Sequence, residues 1–431
     1  MKAELTAIYR HVIGKGVKYP IYKAGYFTLK MSVVKFFKMP VKGKPMRKAA
    51  MRRFFRSIAV LTLLFATASV EPQNGARKEV NIPDISGYQT LACDFHMHTV
   101  FSDGSVWPTT RVQEAWLEGL DAISITDHIE YHPHRADGLT GPDRPYEIAK
   151  PAADAVILCI IRGTEITKQL PPGHHNALFL TVNDIPDTMN LIDGVKRAAD
   201  QGAFVFYNHP GWRQPNNIPV WNPEQEQLYQ SGQLHGIEIV NGKDYYPLAH
   251  RWAIDRKLTL IGSTDVHDPI TFDYDFGKGD HRPMTLVFAK NKTVEDIKKA
   301  LFDRRTAVYW NNILMGEEKY LKAIFDESVS MVNPEVTLTG SAPAVVQVHN
   351  SSEVTYELVK NGEAENIVIP ETITLYGERT VWFSIRNSAE GLKGKKKIRL
   401  PYLVKNLYRA PEEGTPVELE IRVEFQQLEK R

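Results

Sequence analysis

The stretch Asp94-Phe95-His96-Met97-His98-Thr99-Val100-Phe101-Ser102-Asp103-Gly104 decides how the rest of the chain is read. Leu91, Cys93 and Phe95 alternate as a short buried strand does, so the spacing predicts a strand that ends at the histidines. Side chains two apart on a strand share a face, about 7 Å apart along the backbone, which lets His96 and His98 reach one cation. Asp103 follows in a loop able to fold back over a second cation. An isolated His-x-His is more often a pair of core or surface histidines. Its company in the chain changes that reading.

Working outward, short apolar runs alternate with helical patterns from Val80 to Phe325, the signature of β/α units. The run Ala122 to Thr126 ends at Asp127-His128, Val156 to Ile161 leads to Glu165, and Phe204 to Tyr207 ends at Asn208-His209. Leu258 to Ile261 runs into Asp265-Val-His267. Candidate ligands therefore sit just after strand C-termini, the rim where parallel β/α barrels build their sites. Twelve of the fourteen histidines fall between positions 96 and 281, a concentration that scattered core histidines would not give. Pro151 is expected to kink or end a helix between Tyr146 and Val156.

Past Phe325 the pattern becomes strands and turns without a helical stretch, which predicts a small β-sandwich of immunoglobulin type over 326–431, acting as a spacer or packing partner. At 431 residues, 43% hydrophobic and 24% charged, the chain is an ordinary soluble composition of about two domains. The basic excess lies near the N-terminus, so nothing points to nucleic acid. Two cysteines, Cys93 and Cys159, both in apolar runs, exclude a disulfide framework. Arg52, Arg53 and Arg56 precede the apolar run Ile58 to Phe65 and then Ala66-Thr-Ala68, the layout of a cleavable export signal over 46–68. That run is too short for a permanent span, so a periplasmic or secreted product without a membrane anchor is expected. Residues 1–45 read as an over-called N-terminal extension, and 69–87 as a linker.

Taken as an ordered set, His-x-His-x4-Asp, Asp-His, Glu, Gly-His, Asn-His-Pro-Gly and Asp-x-His resemble the PHP (polymerase and histidinol phosphatase) family, over residues 88–325. Phe95 to Gly104, Ser124 to His128 and Asn208 to Trp212 match best. Pro172 to Phe179 and Gly236 to Gly242 are further similar to exported phosphodiesterases of the Sb-PDE type. The resemblance implies an α/β fold, a distorted (β/α)7 barrel followed by the small C-terminal β-sandwich, and three divalent metal ions. It assigns His96, His98, Glu165 and Asp265 to the first metal, with Glu165 bridging. Asp103, His128 and His267 go to the second, and Glu165, His174 and His209 to the third. His174 and His175 are alternatives for one position, since neighbours on an extended chain face opposite ways. Mixed imidazole and carboxylate ligands suit zinc, with iron or manganese as alternatives.

Three divalent ions against Asp103, Glu165, Asp265 and one hydroxide leave a positive excess, which favours an anionic substrate such as a small phosphate ester. The expected activity is a metal-dependent phosphodiesterase in which metal-bound hydroxide attacks phosphorus directly. His132, His134 and Arg213 are the candidates for protonating the leaving group or holding its oxygens, with Lys168 beside them. Tyr131, Trp212, Tyr245 and Tyr246 are candidates for an organic pocket, and Asp127 for orienting an imidazole. Three other readings compete: a phosphomonoesterase of the same fold, an amidohydrolase-like hydrolase of amides or esters, and a non-catalytic exported metal-binding module. About three ligands per ion leaves positions open for water, which favours catalysis over a closed site.

Overall fold

The computed structural model describes residues 76–427. The segments 1–45 and 46–68 lie outside the described residues. Of the stretch 69–87, residues 76–87 lie against the barrel: Lys78 N–H donates to Leu117 O at 2.8 Å, and Ile82 and Ile85 are buried.

Runs of β-branched and aromatic residues form β1 (Gln89–Asp94), β2 (Ala122–Ile125), β3 (Cys159–Ile166), β4 (His175–Leu178), β5 (Phe204–Tyr207), β6 (Gly236–Asn241), β7 (Asp244–Tyr245) and β8 (Thr259–Ser263). Burial on both faces explains why β2, β4, β5 and β8 are buried at every position, as in a strand layer covered by helices. Pairing runs β1-β2-β3-β4-β5-β6, with β8 parallel to β6. β4 is antiparallel to both neighbours, which is the distortion. The ring closes through a parallel bridge between Met97 and Val266, so seven strands, β1 to β6 and β8, surround the interior.

β9 (Met284–Ala289), β10 (Thr306–Trp310) and β11 (Ile313–Gly316) continue the sheet as antiparallel strands from the outer edge of β1. Side-chain hydroxyls fasten β8 to them. Thr285 accepts the Gly262 N–H at 3.0 Å and donates to the Gly262 carbonyl at 2.8 Å, while Thr306 donates to Leu260 O at 3.0 Å.

The helix Arg144–Ala155 runs through Pro151, so of the two outcomes expected from sequence, a kink or an end, it does not end there. Ala149 and Ala153, on either side of the proline, are buried where this helix packs against Pro108–Leu117.

After the helix Glu318–Ser328 come β12 (Val329–Met331), β13 (Glu335–Thr339), β14 (Ala344–Asn350), β15 (Tyr356–Lys360), β16 (Ile367–Val368), β17 (Thr372–Leu375), β18 (Arg379–Asn387), β19 (Gly394–Val404), β20 (Leu407–Tyr408) and β21 (Thr415–Gln426). They stack as two sheets, β12-β14-β18-β16 and β13-β21-β19-β15-β17. β20 leaves the sandwich and pairs in parallel with β11 of the barrel sheet. One buried apolar cluster runs from Ile123 and Leu286 through Phe325 to Leu400 and Val423, so the sandwich is a packing partner whose core continues that of the barrel.

Candidate metal centre

Strand ends bring the nine residues together. His96 and His98 lie just beyond β1, where His98 N–H donates to Val266 O at 3.0 Å and Asp265 N–H to His96 O at 2.8 Å. The same bridge that closes the barrel therefore sets His96 and His98 against Asp265 and His267. Asp103 is carried back by the turn ending at Gly104, where a Cβ would come within 2.7 Å of the His98 main chain. His128 and Glu165 face each other across a parallel bridge after β2. His174 precedes β4, and His209 follows β5 with φ near +25°.

Their ligand atoms form four overlapping groups, within 4.8 Å of one another in each: His98-Asp103-His128-His267, His96-His98-Asp265, His96-Glu165-His209 and His128-Glu165-His174. The grouping differs in detail from the sets implied by resemblance. His98 also faces Asp103, His128 and His267, and His174 sits with His128 while His209 sits with His96. His174, not His175, faces the cluster: His174 Nδ1 lies 3.0 Å from Glu165 Oε1, whereas the buried His175 ring stacks on Tyr207.

Tautomers follow from the partners of each ring. His96 Nδ1 lies 2.8 Å from Glu238 Oε1, so it carries the proton and Nε2 presents a lone pair. The Ser102 hydroxyl donates to Asp127 Oδ1 at 2.6 Å and can only accept from His98 Nδ1, 3.2 Å away. His98 Nε2 is then also bare. These two nitrogens are 3.2 Å apart, and Asp265 Oδ1 lies 3.1 and 3.0 Å from them. Three lone pairs converging at this range repel unless a metal cation or a proton sits among them. The buried Glu165 Oε2 likewise makes no well-aligned hydrogen bond, although His128 Nδ1 lies 2.5 Å from it, a close approach of two donor atoms that a shared cation explains. The donor set fits a divalent metal on both counts.

Where no cation sits, protons take its place. Burial acts to lower the His128 pKa, but the Glu165 and Asp103 carboxylates outweigh it and push it up to about 10. Burial likewise opposes protonation of His96, yet Asp265, Glu238 and Glu165 raise it well above its ordinary value. His98 is held down to about 3 by burial and by His267 and His128 beside it. Burial would raise Glu165 and Asp265, but the surrounding imidazoles keep both carboxyls low.

A sign follows for stability. The folded His128 keeps its proton from its ordinary 6.5 up to about 10, so its contribution is full below pH 6.5 and is lost as pH rises through 10. Thermal melts of chelator-treated protein are therefore expected to fall between pH 7 and pH 10. With a saturating divalent cation in place of the proton, the fall should flatten. Equal slopes in the two series would remove this account.

Residues outside the nine hold the ligands, and of these the sequence had offered Asp127 for orienting an imidazole. Asn208 Nδ2 donates to Glu165 Oε1 at 2.7 Å and to Asn176 Oδ1 at 2.8 Å, which fixes the carboxylate. Asp127 accepts from Thr99 N–H and the Thr99 hydroxyl, both at 2.7 Å, and orients His98 only through Ser102. Arg111, 1% exposed, donates to the carbonyls of His98, Val266, His267 and Asp268. Adjacency to a ligand was a usable signal for Asn208 and Asp127. Nothing in the sequence marks Arg111.

The residues expected to serve the substrate are placed differently. His132 has both ring nitrogens on main-chain carbonyls, Phe101 O at 2.9 Å and Ile129 O at 2.6 Å, and ties two loops together. His134 turns to Asp137 at the surface, 3.6 Å away. Lys168 is engaged by Glu130 at 2.5 Å. Arg213 stacks over Trp212, 4.3 Å from the ring centroid, and Trp212 abuts His174 and His209 at 5.2 Å each. No carboxylate among the described residues lies within 4.0 Å of the Arg213 guanidinium. Tyr131 is half-exposed, with its ring 6.3 Å from His128. Tyr245 and Tyr246 are turned inward: Tyr246 is buried, and the Tyr245 hydroxyl meets His250 Nδ1 at 3.0 Å.

The PHP domain pattern matches residues 94–241, and an Ig-like domain pattern matches 329–420. The chain is 39% identical to a two-domain protein of Bacteroides vulgatus ATCC 8482 containing a predicted PHP-like metal-dependent phosphoesterase, with a TM-score of 0.76 over 80% of this chain and 99% of that one. An amidohydrolase from Chromobacterium violaceum is similar at 15% identity and a TM-score of 0.33, covering 41% of this chain and 88% of that one. No curated protein matches. With strand-end imidazoles and carboxylates gathered at one barrel mouth and an Ig-like module behind it, the chain belongs to the PHP domain family.

Proposed function

We propose that the protein is a metal-dependent phosphoesterase that hydrolyses small organic phosphodiesters. The observation that carries this reading is the convergence of the Nε2 atoms of His96 and His98 on Asp265 Oδ1, beside the buried Glu165 carboxylate that His128 and His174 also approach. Divalent cations held there supply the acidity that makes water a nucleophile near neutral pH. We take them as three, with zinc first and iron or manganese as alternatives, on the chemistry of the ligands.

The chain's own residues do the rest. Asn208 and the Ser102-Asp127 pair fix the orientation of Glu165 and His98, so neither reorganises during the reaction. Arg213 is the cation left for non-bridging phosphate oxygens, steadied by the Trp212 ring next to His174 and His209. One negative charge on a diester suits one free guanidinium. Export across a membrane is retained as part of the proposal, on the layout of residues 46–68, with the mature chain beginning after Ala68.

The test is a panel of nitrophenyl phosphate mono-, di- and triesters beside nitrophenyl amides and carboxylate esters, with metal analysis of the purified protein. Cation-dependent turnover is expected on the diester, and Arg213→Ala should raise KM for it about tenfold or more, as loss of a charged hydrogen bond does. Cleavage of amides or carboxylate esters in preference to every phosphate would sink the reading.

A further inference from the structure

Glu238 sits on β6 with no exposed surface and lies outside the nine candidate ligands. Its carboxylate is filled by donors. Oε1 accepts from His96 Nδ1 at 2.8 Å and from the Ser263 hydroxyl in a short hydrogen bond, and Oε2 accepts from the His209 main-chain N–H at 2.6 Å and Asn241 Nδ2 at 2.9 Å. Asn241 Nδ2 is also 3.3 Å from Asp265 Oδ2. A single carboxylate thus touches His96 by its ring, His209 by its backbone, and Asp265 through one amide.

The contact to His209 matters because that residue stands at a positive φ of 25°, which a residue bearing Cβ adopts only when its surroundings hold it there. The contact to His96 matters because it places the proton on Nδ1 and turns Nε2 toward the cluster.

We propose that Glu238 is a positioning residue that couples two of the four donor groups, His96-His98-Asp265 and His96-Glu165-His209, so that their cation affinities stand or fall together. The group His98-Asp103-His128-His267 contains none of the three ligands that Glu238 holds, and its affinity is independent of Glu238. The inference rests on the reading of this cluster as a metal centre.

Glu238→Gln is the informative change. Four donors point at the carboxylate, and a glutamine of the same shape has two acceptor sites and turns two of its own donors toward donors. Either the His96 ring or the His209 N–H loses its partner. Zinc titration calorimetry, metal content after desalting, and the visible spectrum of the cobalt-loaded protein give readouts independent of turnover. In Glu238→Gln, cation affinity at the two coupled groups is expected to fall about 10- to 100-fold, with the cobalt bands altered. The cation at His98-Asp103-His128-His267 should be retained.

Unchanged stoichiometry and affinity in folded Glu238→Gln would overturn the inference while leaving the metal centre intact. A wild-type protein that binds no zinc would instead overturn the metal reading, and this inference with it. Asn241→Ala removes one of the four donors, leaves the Glu238 carboxylate its other three and cuts its link to Asp265, and decides the case if Glu238→Gln fails to fold. Weakening confined to the coupled groups supports the inference, whereas unchanged binding, or equal loss at every group, rejects it.

Discussion

Glu165→Gln is expected to lower phosphoester turnover roughly a thousand-fold on the proposed function, the scale of removing one preorganised charge-stabilising group from a hydrolase. The carboxylate is buried and central. Oε1 lies 3.0 Å from His174, 3.5 Å from His96 and 3.5 Å from His209, while Oε2 lies 2.5 Å from His128 and 3.6 Å from His98. Five imidazoles therefore look at one group. An amide keeps the shape but removes a charge and replaces one oxygen by a donor with no lone pair for a cation. Because Asn208 Nδ2 already donates to Oε1, the glutamine will orient its oxygen there and place its NH2 at the Oε2 position, facing His128 and His98. Turnover measured at saturating cation, with thermal melts to confirm folding, is the check. A variant within tenfold of wild type would remove Glu165 from the chemistry.

The second large effect concerns stability. Arg111→Met should cost about 3–5 kcal/mol, the range seen when one partner of a buried charged network is removed. Its guanidinium donates to His98 O at 2.9 Å, Val266 O at 3.0 Å, His267 O at 2.7 Å and Asp268 O at 2.9 Å, and pairs with Glu114 at 2.7 Å. Methionine fills the space but leaves those carbonyls without a donor, along the segment that carries His98 and His267. Denaturant unfolding of the variant reads the loss directly. A change below about 1 kcal/mol, the net worth of a single hydrogen bond, would show that water replaces the guanidinium without penalty.

The sequence carried the parts of this site that depend on strand ends. His96, His98, His128, Glu165, His209, Asp265 and His267 each follow or close an apolar run, and period-two alternation is enough to say where such a run ends and which face it presents. His174 against His175 was left open because adjacent residues differ only in which face the strand turns inward, and that is set by pairing with β3 and β5. Glu238 was invisible for a related reason. In Ile237-Glu238-Ile239 it reads as the polar face of an edge strand, whereas the barrel buries both faces and gives the carboxylate four donors from other elements.

Arg111 was not singled out, since a long cationic side chain in Pro108–Leu117 says nothing of the carbonyls it meets 155 positions later. Pro151 does not end its helix: Arg144–Ala155 continues through it, with Ala149 and Ala153 buried on either side. His132 was taken for a substrate group because it follows a ligand strand closely, yet its partners are the main chain of two loops.

β20 extends the barrel sheet from within the Ig-like module, with Leu407 and Tyr408 in register against Leu314 and Met315 and the Tyr408 ring 6.3 Å from Tyr245 beyond β6. A boundary drawn along the chain near residue 328 therefore does not divide the molecule in space. Truncating the chain at that boundary would strip β20 from β11 and uncover an open sheet margin that invites association with foreign strands.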